Sequence, residues 1–285
     1  MVAVFYRPEQ TAQVQSFSPS PRKPALVVDE WSRKFKDGVS FHSFDPVTEK
    51  QIAAVHDPAF VRGVLNCTRA NGFGGKDKAV SDSLPYTSGS MLAAAKHALQ
   101  HGVAVSPTSG FHHATYGGAG GFCTFNGLMV TAVALLNQGL ANRVGILDLD
   151  MHYGNGTDDI IVKLGLRKTD QVIHYSGGAE YDQPEQAADF FERLPKIVNA
   201  MSDCDIILYQ AGADPNIDDP LGGWLSTPDM KFRDRIVLEG CKAMDVPVAW
   251  NLAGGYQNDF QKILDIHNNT MEVCINTFSK EAVNV

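Results

Sequence analysis

Apolar residues along this chain fall into short unbroken runs, separated by longer helix-like stretches, some of which repeat apolar residues every three or four positions. The runs lie at 2–6, 103–106, 144–150, 171–176, 206–212 and 247–253. Each is bounded by turn-forming residues, the pattern of a strand buried on both faces. The longer stretches between them, at 90–101, 126–138, 157–164, 189–201, 228–244 and 259–278, predict helices. The first three end at Gly102, Gly139 and Gly165, where a helix C-cap favours glycine. Strand and helix alternate over most of the chain, which predicts an α/β fold: a single domain, 1–285, with a mostly parallel β-sheet sandwiched by helices. No internal repeat or low-complexity linker interrupts it. Two stretches read as irregular: 13–24, taken as a loop near the sheet, and 110–125, which holds five glycines.

Open parallel sheets bind ligands beyond the carboxyl ends of their strands, so the loops after strands are where chemistry is expected. Four of these loops are unusual: Gly110-Phe111-His112-His113-Ala114, Asp148-Leu149-Asp150-Met151-His152, Ala211-Gly212-Ala213-Asp214-Pro215, and Leu252-Ala253-Gly254-Gly255-Tyr256. In an extended strand, alternate side chains share a face, so Asp148, Asp150 and His152 are expected to converge. Tyr153-Gly154-Asn155-Gly156-Thr157 is then the turn leading to the next helix.

Two carboxylates and an imidazole suffice to hold a catalytic zinc that keeps one coordination position open. Asp150, His152 and Asp214 are the candidates, with Gly212 and Ala213 letting the second loop approach a metal closely. Asp218 and Asp219 are assigned to the loop before Pro220, and Asp214 alone could equally be a turn aspartate. His112 and His113 are candidate proton-transfer residues, Asp148 and Asn155 their candidate partners: a carboxylate favours a charged imidazole, an amide much less so. Tyr256, after two glycines, is placed to donate to an oxyanion. His42, His56, His97, His101 and His267 are read as structural. Together the candidates predict metal-assisted hydrolysis of an amide.

Bulk properties narrow this further. Of the 285 residues, 44% are hydrophobic and 20% charged, enough for a large core. The five cysteines form no Cys-x-x-Cys pair, which argues against a thiolate zinc site and fits a reducing, cytoplasmic setting. No apolar run reaches bilayer length, so no membrane partner is expected. A net charge of −8 argues against general nucleic-acid binding.

The motifs from Val55-His56-Asp57-Pro58 through Tyr256 resemble those of the histone deacetylase superfamily, which includes acetylpolyamine amidohydrolases and acetoin-utilisation proteins on an arginase-like fold. The resemblance rests on Gly110-Phe111-His112-His113-Ala114, Gly121-Phe122-Cys123, the 148–157 segment, Gly212-Ala213-Asp214, Asp219-Pro220-Leu221-Gly222-Gly223 and Gly254-Gly255-Tyr256. It implies that Asp150, His152 and Asp214 bind zinc, or Fe2+ or Co2+, and that His112 and His113 handle protons with Asp148 and Asn155. Tyr256 would polarise the acyl carbonyl. Gly121, Phe122, Leu221 and Gly254 would contact substrate, Phe122 as a wall of an acyl-lysine tunnel. Arg22 would match an inner-cavity arginine, and Tyr181 the opposing tunnel aromatic. Tyr153 stands where the family usually has a second histidine, and Val172 where it has a serine near a potassium site whose ligands are partly backbone, so the resemblance leaves K+ binding open.

The implied substrate is an acylated lysine peptide or a small acylated amine. Leu221 replaces the acidic gatekeeper associated with polyamine selectivity, which disfavours the acetylpolyamine alternative. Asn216 replaces the carboxylate a two-metal ureohydrolase needs. A non-catalytic acyl-lysine binding protein would lack a ligand, base or tyrosine, and none is missing.

Overall fold

The computed structural model describes residues 1–279; positions 280–285 of the expected domain lie outside the described residues. Seven strands, β1 (Val2–Phe5), β2 (Val39–His42), β3 (Val103–Ser109), β4 (Val144–Asp148), β5 (Val172–Ser176), β6 (Ile206–Gln210) and β7 (Val248–Ala253), form one sheet in the order β2-β1-β3-β7-β6-β4-β5. Every pairing is parallel. Successive residues face opposite layers: Ile146, Leu208 and Ala249 enter one apolar core with Met91 and Leu128, while Leu147, Tyr209 and Trp250 enter the other with Trp31 and Phe190. Both faces are therefore covered, which is why the strands read as continuous apolar runs.

The register places the functional edge. Asp148 pairs with both Ser176 and Gln210, and Gln210 with Asn251, so the polar residues at four strand ends lie in one row. Helices α5 (Gly127–Asn137), α6 (Asn155–Lys163), α7 (Ala187–Asn199), α8 (Thr227–Ala243) and α9 (Phe260–Phe278) match the expected helices to within a few residues. Among the described residues no helix is long and apolar enough to cross a membrane.

Strand β2 and the short helices α2 (Glu49–Ile52) and α3 (Pro58–Leu65) fall outside the predicted segments, and three further elements differ from the expectation. Helix α4 spans Lys78–His101, starting twelve residues before the predicted 90–101 segment. Its Ser- and Gly-containing first half, with Pro85, looks like a breaker. Tertiary contacts override this: Ser81 donates to the Val64 carbonyl (2.8 Å), and the Pro85 carbonyl, which also lies in the helix, accepts from Val47 N (3.0 Å). Helix α1 (Lys23–Lys34) begins where the predicted loop ended, with Pro24 in its first turn, where proline is tolerated. Strand β4 stops at Asp148, so Asp150 and His152 follow it rather than belonging to it.

Two buried histidines make acid stability a test of this packing. His56 accepts from Asn126 N through Nε2 and donates from Nδ1 to the Thr115 carbonyl, both at 2.8 Å. Burial lowers its pKa to about 4 and holds that of His267 well below the ordinary value. The unfolded chain thus binds the extra protons, and stability present above roughly pH 6.5 is lost as pH falls, by about 1.4 kcal/mol per unit for each histidine. The urea midpoint is expected to drop between pH 7 and 5, and His267→Leu to make that slope shallower by one proton; an unchanged slope would sink the assignment.

Candidate metal centre and active site

Aspartate side chains, rather than strand alternation, bend the chain after β4. The Asp148 carboxylate accepts from Asp150 N (3.2 Å), and the Asp150 carboxylate from His152 N (3.0 Å). Two successive turns of this kind, each closed by an aspartate two residues back, curl the segment so that its side chains meet. From β6, Asp214 arrives and accepts from Met151 N (3.2 Å). The donor atoms of Asp150, His152 and Asp214 all lie within 4.8 Å of one another. His152 Nδ1 is 3.3 Å from Asp150 Oδ1 and 3.1 Å from Asp214 Oδ2, while Nε2 donates to the Leu221 carbonyl at 3.1 Å. That outer bond assigns the proton to Nε2 and leaves Nδ1 as the inward-facing ligand atom. Glycine is required twice here: a Cβ on Gly254 would lie 2.1 Å from Asp214 Oδ2, and one on Gly212 would lie 2.6 Å from Asp214 Oδ1. The Gly254 amide donates to Asp150 (2.8 Å).

These residues fit a divalent cation. Burial and the neighbouring Asp150 push the Asp214 carboxyl up to about 7. Hydrogen bonds to Asp150 and Asp214 raise His152 to about 11, so the two carboxylates strongly favour positive charge at this position. Within the cluster two enclosed carboxylates face a single imidazole, an excess of negative charge that a cation would offset.

The two tandem histidines sit above it with different partners. His112 Nδ1 donates to Asp148 Oδ2 and His113 Nδ1 to Asn155 Oδ1, each at 2.6 Å. Their rings are 4.1 Å apart. Burial opposes charge on His112, but the Asp148 and Asp150 charges outweigh it and raise its pKa to about 9. Burial and the adjacent His112 lower His113. The surroundings thus favour the charged form of His112 and the neutral form of His113. Gly121, with φ +51°, passes directly against the His113 ring. Tyr256 is 8% exposed, its ring 6.5 Å from that of His152 and 5.5 Å from that of Phe122, so tyrosine and phenylalanine line one approach to the cluster.

Two expectations are corrected. Arg22 is exposed; the buried cation is Lys23, whose Nζ donates to the Ala253 (2.5 Å) and Gly254 (3.0 Å) carbonyls. Tyr181 is not an opposing wall but core, stacked on Trp224 at 5.8 Å and edge-on to Phe190 at 5.1 Å, its hydroxyl donating to Asp189. Tyr153 points outward and bonds Asp158, Leu221 is exposed with only its carbonyl toward His152, and Val172 is buried in β5. The Asn216 amide donates to Thr227 and its oxygen accepts from Gln257.

Several supporting residues were not anticipated. Gln210 donates to Asp148 (3.0 Å) and accepts from Phe111 N (3.2 Å). Arg233 Nη1 donates to the Leu149 (3.0 Å) and Gly212 (2.9 Å) carbonyls, holding both aspartate-bearing loops. Phe73 lies 6.0 Å from Phe122. Only Phe73 carries a local signal, an aromatic residue between glycines; Gln210 and Arg233 are ordinary members of a strand and a polar helix.

A parallel sheet with this cluster at its strand ends defines an α/β protein with a candidate metal centre. Comparison with known proteins gives the family. Residues 18–177 match the histone deacetylase domain. The chain is 30% identical over 239 residues to an uncharacterized protein of Picosynechococcus sp., covering 75% of this chain and 78% of that one. It is 28% identical over 196 residues to histone deacetylase 2 of Arabidopsis thaliana, covering 62% of this chain and 50% of the plant protein. The acetylpolyamine aminohydrolase structure from Burkholderia pseudomallei shares the fold, with a TM-score of 0.76 at 17% identity over 97% of this chain and 99% of that one. The chain belongs to the histone deacetylase family and is an amidohydrolase.

Proposed function

We propose that this protein is a zinc-dependent deacylase that hydrolyses the amide of an acylated lysine peptide or a small acylated amine. The observation that carries the reading is the pair of tandem histidines with opposite charge preferences beside the Asp150–His152–Asp214 cluster. Bound on those three residues, a divalent metal supplies Lewis-acid polarisation of the carbonyl and a water acidified toward neutral pH. Zinc suits this donor set with one position left open, and Fe2+ or Co2+ would fit the same donors.

The residues of the chain do the rest. His113, neutral and fixed by Asn155, takes a proton from the attacking water as its oxygen bonds to the acyl carbon. Tyr256, whose phenol burial holds in the protonated form, donates to the developing oxyanion. When the C–N bond breaks, the proton passes from His113 to the amine nitrogen, and His112, charged beside Asp148, stabilises the negative charge that builds up. Gly121, Phe122 and Gly254 line the approach, and Leu221, apolar and exposed at the rim, favours acyl-lysine over acylated polyamine. A cytoplasmic setting agrees with five cysteines that are all free.

The test is amide hydrolysis by zinc-loaded protein over acetyl-lysine peptides, longer acyl-lysines, acetylated polyamines and guanidino compounds, read by mass spectrometry. Acyl-lysine turnover that a chelator removes and zinc restores is the expected result. No turnover of any amide by protein holding one zinc would favour an acyl-lysine binding protein instead.

A further inference from the structure

We infer that Asp219 is a positioning residue: one buried carboxylate ties the placement of Tyr256 to the support of His152. The inference rests on the deacylase reading above. Asp219 is 6% exposed and lies between β6 and α8, next to Asp218, which is exposed and pairs with Lys262 instead. Its Oδ1 accepts from Leu221 N at 3.0 Å, and its Oδ2 from Tyr256 N at 2.7 Å. The bond to Leu221 is an ordinary turn contact with a residue two positions on. A turn aspartate does not account for the bond to Tyr256, which reaches across 37 positions to the segment after β7.

That segment needs holding. Ala253 sits at φ +52°, where a residue with a Cβ is disfavoured, and Gly255 at φ +130°, a region open to glycine. Glycines preceding the tyrosine give the backbone no preference for the observed path. Asp150 fixes the Gly254 amide and Asp219 the Tyr256 amide, so the phenol is aimed by two carboxylates. A hydrogen bond to an ionised acceptor is the stronger kind. The same Asp219 fixes the amide of Leu221, whose carbonyl holds His152 Nε2 at 3.1 Å. Tyr256, Asp219, Leu221 and His152 thus form one chain of contacts, and the rim loop, the carbonyl donor and the metal-site imidazole hold a common geometry.

Asp219→Asn keeps the size of the side chain but leaves one acceptor oxygen for two amides; Asp219→Ala removes both bonds. In Asp219→Asn, kcat on the best amide of the panel is expected to fall about tenfold or more, as for the loss of one hydrogen bond to a charged group. KM and zinc content should stay near those of the wild type. In a Tyr256→Phe background, where no phenol remains to be aimed, the same substitution should lower kcat far less. A role confined to folding would give the same factor in both backgrounds. Hydrogen exchange of the peptide containing Tyr256 is expected to speed up in Asp219→Asn, with the sheet unchanged. This readout needs no turnover, so it separates failure of this inference from failure of the deacylase reading. Wild-type kcat in Asp219→Asn, equal losses in both backgrounds, or a Tyr256 amide that already exchanges like an open loop in the wild type would each overturn it.

Discussion

Tyr256→Phe is expected to lower kcat by about a hundredfold to a thousandfold, the range for removing one oxyanion donor from a preorganised site. Metal content and fold should be unchanged. The ring is packed 5.5 Å from Phe122, and phenylalanine keeps that contact, so only the hydroxyl is lost. Burial and the nearby Asp214 and Asp150 charges raise the phenol pKa, so it carries its proton throughout the neutral range and loses no donor capacity as pH rises. The effect should therefore be as large at pH 9 as at pH 7, and should fall on kcat more than on KM, because the oxyanion exists only in the transition state. Steady-state kinetics at the two pH values, with metal analysis alongside, checks it. A variant that retains full activity with one metal per chain would remove Tyr256 from the chemistry.

The sheet was legible in the sequence because both its faces are covered: the burial of β4 and β6 on two sides leaves short unbroken apolar runs, told from the longer apolar run of α5 by their length. Strand β2 escaped for the opposite reason. It is a four-residue edge strand, and Ser40 and His42 give it no apolar run. The first half of α4 escaped because Pro85 and Gly89 are locally unfavourable. A Cβ on Gly89 would lie 2.9 Å from the Asp45 carbonyl, so that glycine reflects a crossing of chains rather than a helix end. At the site, residues that act through their own side chains (His112, His113, Asp150, His152, Asp214 and Tyr256) stand out by type and by their place after strands. Residues that act on the backbone of another loop do not. Lys23, Asp219 and Arg233 each hold peptide groups far away in sequence, and the pattern around them records only their own helix or turn. Reading Arg22 as the buried cation missed by one residue, because only the start of α1 decides which of two adjacent cations turns inward.

Asp214→Asn is expected to move metal affinity and the stability of the metal-free protein in opposite directions. Asp214 is fully buried beside Asp150, and its carboxyl is raised to about 7 by burial and by that neighbour. An aspartate whose folded pKa lies above its unfolded value costs nothing at low pH. The penalty accumulates as pH rises from about 4 to about 7 and is constant above that. At pH 8 the metal-free protein carries this penalty in full, and asparagine removes it while keeping an oxygen to accept from Met151 N. Metal-free Asp214→Asn should therefore melt above metal-free wild type at pH 8, with the difference shrinking toward pH 5. With zinc present the order reverses. Losing a charged ligand should weaken binding beyond the roughly 10–100-fold cost of losing an outer-shell partner, and with it goes the stabilisation that a ligand of the folded state provides. Activity should fall in parallel with metal content. Thermal melts with chelator and with zinc, at both pH values, resolve all four combinations. A variant less stable than wild type without metal at both pH values, and equally stabilised by zinc, would return Asp214 to the role of a turn aspartate. A turn aspartate stabilises the chain it caps; one that destabilises its own fold until a cation arrives is there for the cation.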